Sequence, residues 1–400
     1  MTRAERTRPP EQEVVEPGRM LEHVRGLRSE FVDFLSRMAS LESPTDEPER
    51  QRPVQRLIAS ALEDLGYEIR MVPGRGTGGH LYARPREREH GKHAQLLVGH
   101  TDTVWPVGTL ETMPVRVDGD RLHGPGTLDM KGGLTQIVFA LRALRELGIR
   151  PEVTPVVFVN SDEEVGSPDS RHHVRMLARR ACRAFVLEPA LGPDARVKTA
   201  RKGIGRFEVA IRGRASHAGL DPGAGASAIL ELSHVIQRLH ELNDPERGTT
   251  VNVGVIDGGI RPNVVAAAAK ASVDARVRTM EDARALERAV NEIRAATPGV
   301  ELEITGGIAV PPLERTPRNR ALWTTARAVG AELGFDLDEG MAGGGSDGNT
   351  TSQFTATLDG LGCVGDGPHA VHEHIEIDPS LERCALLARL LLTPASEENV

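Results

Sequence analysis

Residues 134–161, "LTQIVFALRALRELGIRPEVTPVVFVNS", contain a helix pattern followed directly by a strand pattern. Apolar residues such as Leu134, Ile137 and Leu141 recur at helical spacing, and Gly148 ends the run. The short apolar run "TPVVFVNS" that follows is typical of a buried strand. Similar runs, "AQLLVGH" and "RAFVLEP", lie before and after it. Alternation of strands and helices predicts a layered α/β domain with a mixed, mostly parallel sheet.

The composition excludes several classes of protein. A formal charge of −8 and a pI near 6.0 argue against a nucleic-acid partner, because no basic face is implied. The cysteines, Cys182, Cys363 and Cys384, are odd in number and widely spaced, which predicts neither a disulfide framework nor a thiolate zinc site. No run approaches the ~18 apolar residues of a membrane span. We therefore expect a cytoplasmic protein with reduced cysteines and no membrane partner.

The pattern changes along the chain and predicts four segments. Residues 1–19 are charged and Pro-rich and predict a disordered arm, and residues 20–204 carry the first α/β part. Residues 205–313 read as β-α-β-β-α-β, the order of a ferredoxin-like domain inserted into the first. Within it, strict alternation from Val265 to Val277 predicts a strand with one polar face. The α/β pattern returns over residues 314–400.

Acidic and histidine residues follow the predicted parallel strands, where α/β sheets bind their ligands. These residues are His100, Glu163, Glu164 and Glu188. Adjacent like charges at Glu163 and Glu164 are unfavourable unless something offsets them. A solvated loop is one explanation. In the other, one glutamate binds a metal ion and its neighbour faces a water as general base.

Two further acids suit the same chemistry. His100 and Asp102 are two apart in an extended segment, so their side chains project the same way. A carboxylate in this position commonly accepts the second ring N–H of a metal-bound histidine. Asp129 lies among glycines just before a helix, where it suits an N-cap or a metal ligand. Its two oxygens would let it bridge two ions.

The segment "GDGPHAVHEHIEI" offers three candidate ligands, His369, His372 and His374. Mixed histidine and carboxylate ligation without cysteine suits zinc, cobalt or manganese. Two such ions ~3.5–4 Å apart are a known arrangement for aminopeptidase-type hydrolysis. For at least two of these histidines, the alternative is a solvated surface position.

Taken in order, the motifs resemble those of the M20 family of metallopeptidases, most closely its glutamate carboxypeptidase branch. The resemblance covers about residues 20 to 395 and rests on "GHTDTV", "GTLDMKGG", "NSDEEVGS", "EPA", "GRASHAG", "GGIRPNVV", "GGGSDGN" and "LGCVGDGPHAVHEH". It implies a catalytic domain (residues 20–204 and 314–400), an inserted dimerisation or lid domain (205–313), two zinc ions and a homodimer.

The resemblance also implies a role for each metal-site residue. One zinc would be bound by His100, Asp129 and Glu188, and the other by Asp129, Glu164 and His369, with Asp129 bridging. Glu163 resembles the general base and Asp102 the partner of the ligand histidine. His369 is preferred to His372 because Glu373 stands where the family usually has a glutamate. The form "HAVHE" departs from the commoner "HxxNE" of the family.

The resemblance implies further roles in substrate binding. His217 in "RASHAG" would polarise the scissile carbonyl from the opposite subunit, although a turn histidine is the simpler explanation. Asn263 and Arg276 would contact the substrate carbonyl and carboxylate. Backbone N–H groups of the loop "GGGSDGN" could form an anion nest for a terminal carboxylate. That loop contributes Gly344, Gly345 and Ser346.

The expected function is therefore a dinuclear zinc hydrolase that cleaves a peptide or N-acyl amide bond to release a C-terminal amino acid. An aminoacylase or N-acyl-amino-acid deacylase of the same family is the alternative. A non-catalytic binding protein on the same fold is a third. It is disfavoured because the ligand positions and Glu163 are all filled.

Overall fold

The computed structural model describes residues 16–87 and 93–395. In these residues the helices are α1 (Pro17–Gly26), α2 (Arg28–Ala39), α3 (Pro48–Asp64), α4 (Gly132–Glu146), α5 (Arg171–Ala178), α6 (Ala228–Glu241), α7 (Met280–Asn291), α8 (Pro317–Glu332), α9 (Asp347–Thr351) and α10 (Ile377–Leu390). The strands are β1 (Tyr67–Val72), β2 (His80–Pro85), β3 (Ala94–His100), β4 (Arg116–Asp118), β5 (Arg121–His123), β6 (Thr154–Asn160), β7 (Ala181–Val186), β8 (Val197–Arg201), β9 (Gly203–Arg212), β10 (Thr250–Gly258), β11 (Ala268–Val277), β12 (Glu301–Val310), β13 (Glu339–Ala342), β14 (Ala356–Leu358), β15 (Gly365–Asp366) and β16 (His374–Glu376).

The central sheet has the strand order β1-β2-β6-β3-β7-β14. β6, β3, β7 and β14 run parallel, whereas β1 and β2 pair antiparallel at one edge. Both faces of β3 are buried, with Leu97 in the core beneath α4 and α10 and Val98 in the core beneath α5. Burial on two faces explains why these strands are continuous apolar runs. The predicted mixed, mostly parallel sheet is confirmed.

The inserted segment forms a second sheet with the order β10-β11-β9-β12, and every neighbouring pair is antiparallel. Helices α6 and α7 supply Val235 and Leu286 to a separate core that includes Val209 and Val273. Burial alternates along β11, as the period of two predicts. This connectivity and strand order make the segment ferredoxin-like, as predicted.

The inserted sheet runs from Gly203, where β9 begins, to Val310, where β12 ends. The predicted division at residues 205–313 stays a prediction that these strand bounds support. Of the predicted N-terminal arm, residues 1–15 lie outside the described residues, and residues 17–19 belong to α1. Among the described residues, the helices are all too short or too polar to cross a membrane.

Candidate metal centre

Three of the predicted site residues lie at the carboxyl ends of adjacent strands. His100 is the last residue of β3, Glu163 comes shortly after β6, and Glu188 comes shortly after β7. Because these strands are neighbours and parallel, their ends meet at one edge of the sheet. Asp129 reaches the same edge in the loop before α4. A Cβ added at Gly133 would lie 2.0 Å from the Leu187 carbonyl oxygen, so glycine is needed where α4 approaches the segment that carries Glu188.

Three carboxylates surround one nitrogen of His100. Its Nε2 lies 3.3 Å from Oδ1 of Asp129, 3.6 Å from Oε1 of Glu188 and 4.0 Å from Oε2 of Glu163. The ligand atoms of His100, Glu163 and Glu188 lie within 4.8 Å of one another, and so do those of His100, Asp129 and Glu164. Either set could hold a metal ion, so the geometry offers Glu163 as a possible ligand in addition to its predicted role as general base.

Asp102 organises this edge in a way the sequence did not indicate. Nδ1 of His100 donates to the backbone carbonyl of Asp102 at 2.9 Å, which leaves Nε2 with a lone pair facing the carboxylates. The Asp102 carboxylate, whose Oδ1 lies 3.4 Å from Nδ1 of His100, also accepts from the backbone N–H groups of Glu163 and Glu164, at 3.2 and 3.1 Å, and from the Thr45 hydroxyl. It therefore fixes the turn that aims the adjacent glutamates in different directions.

Asp129 lies between two histidines. Its Oδ1 faces His100, and its Oδ2 lies 3.5 Å from Nε2 of His369. The same His369 nitrogen lies 3.2 Å from Oε2 of Glu164. This is the arrangement expected of a bridging carboxylate with one histidine on each side. His369 has a left-handed backbone (φ 60°), which costs a residue with a Cβ roughly 1–2 kcal/mol, and such strain is concentrated at functional sites.

The other two histidines of the segment point elsewhere. His372 is largely exposed, and its Nε2 lies 3.7 Å from Asp366. Nδ1 of His374 donates to the His372 carbonyl at 2.9 Å, and its ring lies 5.1 Å from that of His123. Within the described residues, neither His372 nor His374 forms a hydrogen bond or an ion pair with Asp129 or Glu164.

This difference predicts distinct metal contents for two variants. If two metal ions bind as predicted, His369→Ala should lose one of them, because it removes the imidazole between Asp129 and Glu164. His372→Ala is the matched control and should retain both. Zinc per chain, measured by atomic emission after dialysis, is the readout. The reverse ranking would mean that His372 is the ligand.

Electrostatics at the site favour bound cations. Burial and the neighbouring Glu188 raise the pKa of Glu163 well above its usual range, and burial also raises the pKa of Glu164. Burial acts against the charged form of Asp129, but His100 and His369 outweigh it and hold the pKa of Asp129 well below its usual range. Pairing with Asp129 and Glu164 raises the pKa of His369 to about 10.

Several buried atoms of the cluster have no hydrogen-bond partner within the described part of the chain. They are Nε2 of His100, Oδ1 of Asp129 and Oε1 of Glu164. Buried polar atoms are normally satisfied, so unsatisfied atoms converging on one point need an explanation. Divalent cations fit, since they bind these nitrogen and oxygen donors and offset the crowded negative charge.

Glu373 joins the ligand-bearing loops, a role that the sequence indicated only by its spacing from His369. One carboxylate oxygen accepts from the backbone N–H groups of Leu128 and Asp129, at 2.9 and 3.0 Å. The other accepts from the N–H of Gly126 at 2.9 Å and from the indole of Trp105 at 2.8 Å. The side chain is almost fully buried. It thus holds the Asp129 loop against the His369 loop.

Glu373→Gln should therefore weaken zinc binding by roughly 10–100-fold, the usual loss when a group that orients the ligands is changed. The amide of glutamine would replace one accepting carboxylate oxygen with an NH₂ group, which would face hydrogen-bond donors. Glu376→Gln, a change in the same chain segment at a half-buried glutamate paired with Arg121 at 3.6 Å, is the control. Competition with a chromogenic chelator measures the affinity. Equal affinity in the two variants would contradict the role of Glu373.

A buried arginine, Arg201, forms an ion pair with Glu188. Arg201 donates from Nη2 to Oε2 of Glu188 at 3.0 Å and pairs through Nε and Nη2 with Asp359. Its Nη1 donates to the carbonyls of Gly344 and Gly345. Only the basic run "RVKTARKG" indicated this residue in the sequence. Arg201 links the predicted ligand Glu188 to the loop predicted to bind a carboxylate.

The cluster opens into a cleft of about 650 Å³. Glu163, Arg276 and the 344–346 loop line it, as the resemblance implies. The backbone N–H of Ser346 is already donated to Asn349 at 2.9 Å, which leaves fewer groups for the predicted anion nest. Arg276 pairs through two hydrogen bonds with Asp274, so its guanidinium is partly engaged as well.

His217 and Asn263 are brought together, but not into this cleft. Both are exposed, and Ala218 donates its N–H to the Asn263 carbonyl at 3.0 Å, which joins their loops. Neither lines the cleft formed by the described residues. Nδ1 of His217 accepts from the backbone N–H groups of Gly219 and Leu220 at 3.1 Å. The proton of neutral His217 must then be on Nε2, which faces away as a hydrogen-bond donor.

A buried histidine–carboxylate cluster at the edge of a parallel sheet, with an inserted ferredoxin-like domain, is the architecture of a metal-dependent peptidase or amidohydrolase. The chain belongs to peptidase family M20/M25/M40, whose sequence profile matches residues 96–393. The family predicted from the motifs is therefore confirmed.

Similar proteins support the same assignment. The chain is 29% identical over 370 residues to carboxypeptidase G2 of Pseudomonas sp. (strain RS-16), covering 90% of this chain and 88% of that protein. It is 30% identical over 350 residues to acetylornithine deacetylase of Myxococcus xanthus, covering 82% and 85%. Aminopeptidase PepT of Bacillus cereus has the same fold, with a TM-score of 0.74 at 20% identity and coverage of 91% and 98%.

Proposed function

We propose that the protein is a dinuclear zinc hydrolase that cleaves a peptide or N-acyl amide bond and releases a C-terminal amino acid. The position of Asp129 carries the proposal, because its two oxygens face His100 and His369 separately. Two zinc ions held there would activate water and polarise the scissile carbonyl. Cobalt or manganese would suit the same donors.

The protein's own groups then divide the remaining tasks. Glu163 accepts the proton of the attacking water and delivers it to the leaving amine nitrogen, as a general base and then acid. No described residue hydrogen-bonds to its carboxylate, which leaves the oxygens free to face substrate and water. The 344–346 loop and Arg276 line the cleft and would hold the carboxylate of the leaving amino acid. Arg276 would give up its hydrogen bonds to Asp274 and form them with the substrate carboxylate.

A homodimer would bring His217 to the cleft of the opposite subunit. β10 is an edge strand of the inserted sheet, so one side of its backbone has no partner strand. Val255 and Ile256 on this strand are 63% and 62% exposed, and Leu220 beside His217 is 82% exposed. An apolar edge of this kind fits pairing with the same edge of a second copy. The Nε2–H of His217 would then reach the carbonyl oxygen as a donor.

The second candidate is an N-acyl-amino-acid deacylase or aminoacylase, favoured by the similarity to an acetylornithine deacetylase over most of both chains. Both candidates use the same metal site and differ in the acyl group. A small peptide or N-acyl amino acid is the expected partner in either case. Buried free cysteines agree with the predicted cytoplasmic, reduced location, which stays a prediction.

One experiment tests the proposal. Purified protein is reloaded with zinc, cobalt or manganese, and its metal content is measured before a panel of dipeptides and N-acyl amino acids is assayed for released amino acid. We expect about two metal ions per chain and hydrolysis of at least one class. Two bound ions without hydrolysis of any compound would favour the non-catalytic alternative. One ion per chain would remove the dinuclear assignment.

A further inference from the structure

Lys198 is a buried cation at the cleft that the catalytic roles above do not use. It lies in β8, is 7% exposed and lines the cleft beside Glu188. Its Nζ makes no hydrogen bond to any described residue, and it lies 3.9 Å from Oε2 of Glu188, beyond hydrogen-bonding distance. A buried ammonium group is unfavourable unless it is paired and hydrogen-bonded.

Glu188 does not supply that pairing, because Arg201 already holds the same oxygen at 3.0 Å. The Arg201 guanidinium is itself fully engaged by Glu188, Asp359 and two carbonyl groups. Lys198 therefore has three N–H donors with no hydrogen-bond acceptor among the described residues, and a positive charge that Glu188 offsets only at 3.9 Å. The N–H donors and the positive charge of Lys198 are therefore available to a molecule in the cleft.

The surrounding backbone is shaped to hold this lysine. Lys198 and Asp359 exchange backbone hydrogen bonds at 2.7 and 3.3 Å, which fixes the start of the side chain. Gly360 has a φ of +69°, and a Cβ added there would lie 2.9 Å from Cγ and 3.2 Å from Cδ of Lys198. Glycine is thus needed both for the turn and for the close packing of the lysine stem.

We propose that Lys198 binds a second acid group of the substrate, distinct from the terminal carboxylate of the released amino acid. This inference rests on the proposed function and names a substrate class for it. A substrate carboxylate at Lys198 would form a charge-assisted hydrogen bond with this largely buried ammonium group. Arg206, exposed on β9 at the same cleft, adds a second positive charge to the approach.

This second acid group could belong to the side chain of the released amino acid or to the acyl group, and in both cases it is a carboxylate. Matched acid and amide pairs separate them: N-acetylglutamate against N-acetylglutamine, and N-succinylalanine against N-succinamoylalanine. Binding of each compound to zinc-loaded Glu163→Gln protein is measured by calorimetry, so the test does not depend on turnover. We expect at least one acid to bind roughly tenfold tighter than its amide.

Lys198→Met in the same background should reduce that acid–amide ratio to near one, and Lys198→Arg should retain most of it. Lys202→Met, the same substitution at a half-buried lysine outside the cleft lining, should leave the ratio unchanged. Zinc content and melting temperature are measured for each variant to exclude misfolding. Equal binding of acid and amide in both pairs, or a preference that survives Lys198→Met, would overturn the proposal. Failure of the proposed function would appear separately, as wild-type protein that hydrolyses none of the compounds.

Discussion

Glu163→Gln is expected to lower kcat by ~10²–10⁴-fold while leaving the metal content unchanged, because Glu163 is proposed as the general base and not as a metal ligand. The amide has nearly the same shape, so the turn held by Asp102 should persist. The measurement is kcat beside zinc content for the same preparation. Since Glu163 also lies within ligand distance of His100 and Glu188, metal content is the decisive part.

Glu164→Ala provides the contrast within the same turn. Its carboxylate lies 3.2 Å from Nε2 of His369, so its removal should cost one metal ion as well as activity. If Glu163→Gln loses metal and Glu164→Ala keeps it, the two roles are exchanged. Near wild-type turnover in Glu163→Gln would place the base elsewhere.

His217→Ala is expected to lower turnover by ~10²–10³-fold, the usual cost of losing one donor to the developing oxyanion. The variant should keep the metal content and the oligomeric state of the unmodified protein, because the side chain lies on an exposed loop outside the metal cluster. Its Nε2–H is preset as the donor by the two backbone N–H groups on Nδ1. Zinc content, sedimentation and kcat are measured together.

Mixing His217→Ala with Glu163→Gln tests whether the histidine acts across the proposed dimer. A hybrid dimer contains one site with an intact base from one chain and an intact histidine from the other, so activity should return as subunits exchange. Two different affinity tags verify that hybrids have formed. Verified hybrids without recovered activity would show that His217 acts within its own chain or not at all.

The layered fold could be predicted from local patterns alone. Buried parallel strands must be apolar on both faces, which makes runs such as Ala94–His100 visible, and the structure begins and ends β3 at those residues. The polar face of β11 was visible because a half-buried strand alternates with a period of two. Both patterns depend on which faces of a strand are buried in the core. Burial of a face determines which nearby residues in the sequence are apolar, so the patterns can be seen without the structure.

The residues of the candidate site could also be predicted, because their motifs stand at strand ends and match a family in order. His100, Asp129 and the adjacent glutamates gather at one edge for a topological reason that needs no coordinates. Their assignment to individual metal ions stays a prediction. His369 is preferred to His372 from the position of Glu373 in the sequence, and the structure adds that His369 lies beside Glu164 whereas His372 lies beside Asp366.

Contacts between distant segments were decided by the tertiary structure. Glu373 receives hydrogen bonds from residues more than 240 positions earlier in the chain. Arg201 meets Asp359 only because β8 packs beside the segment after β14. Lys198 loses its solvent in the same packing, although its sequence neighbourhood resembles an ordinary basic surface run. A sequence records which faces are apolar, whereas the pairing of buried charges depends on distances that form only when the chain has folded.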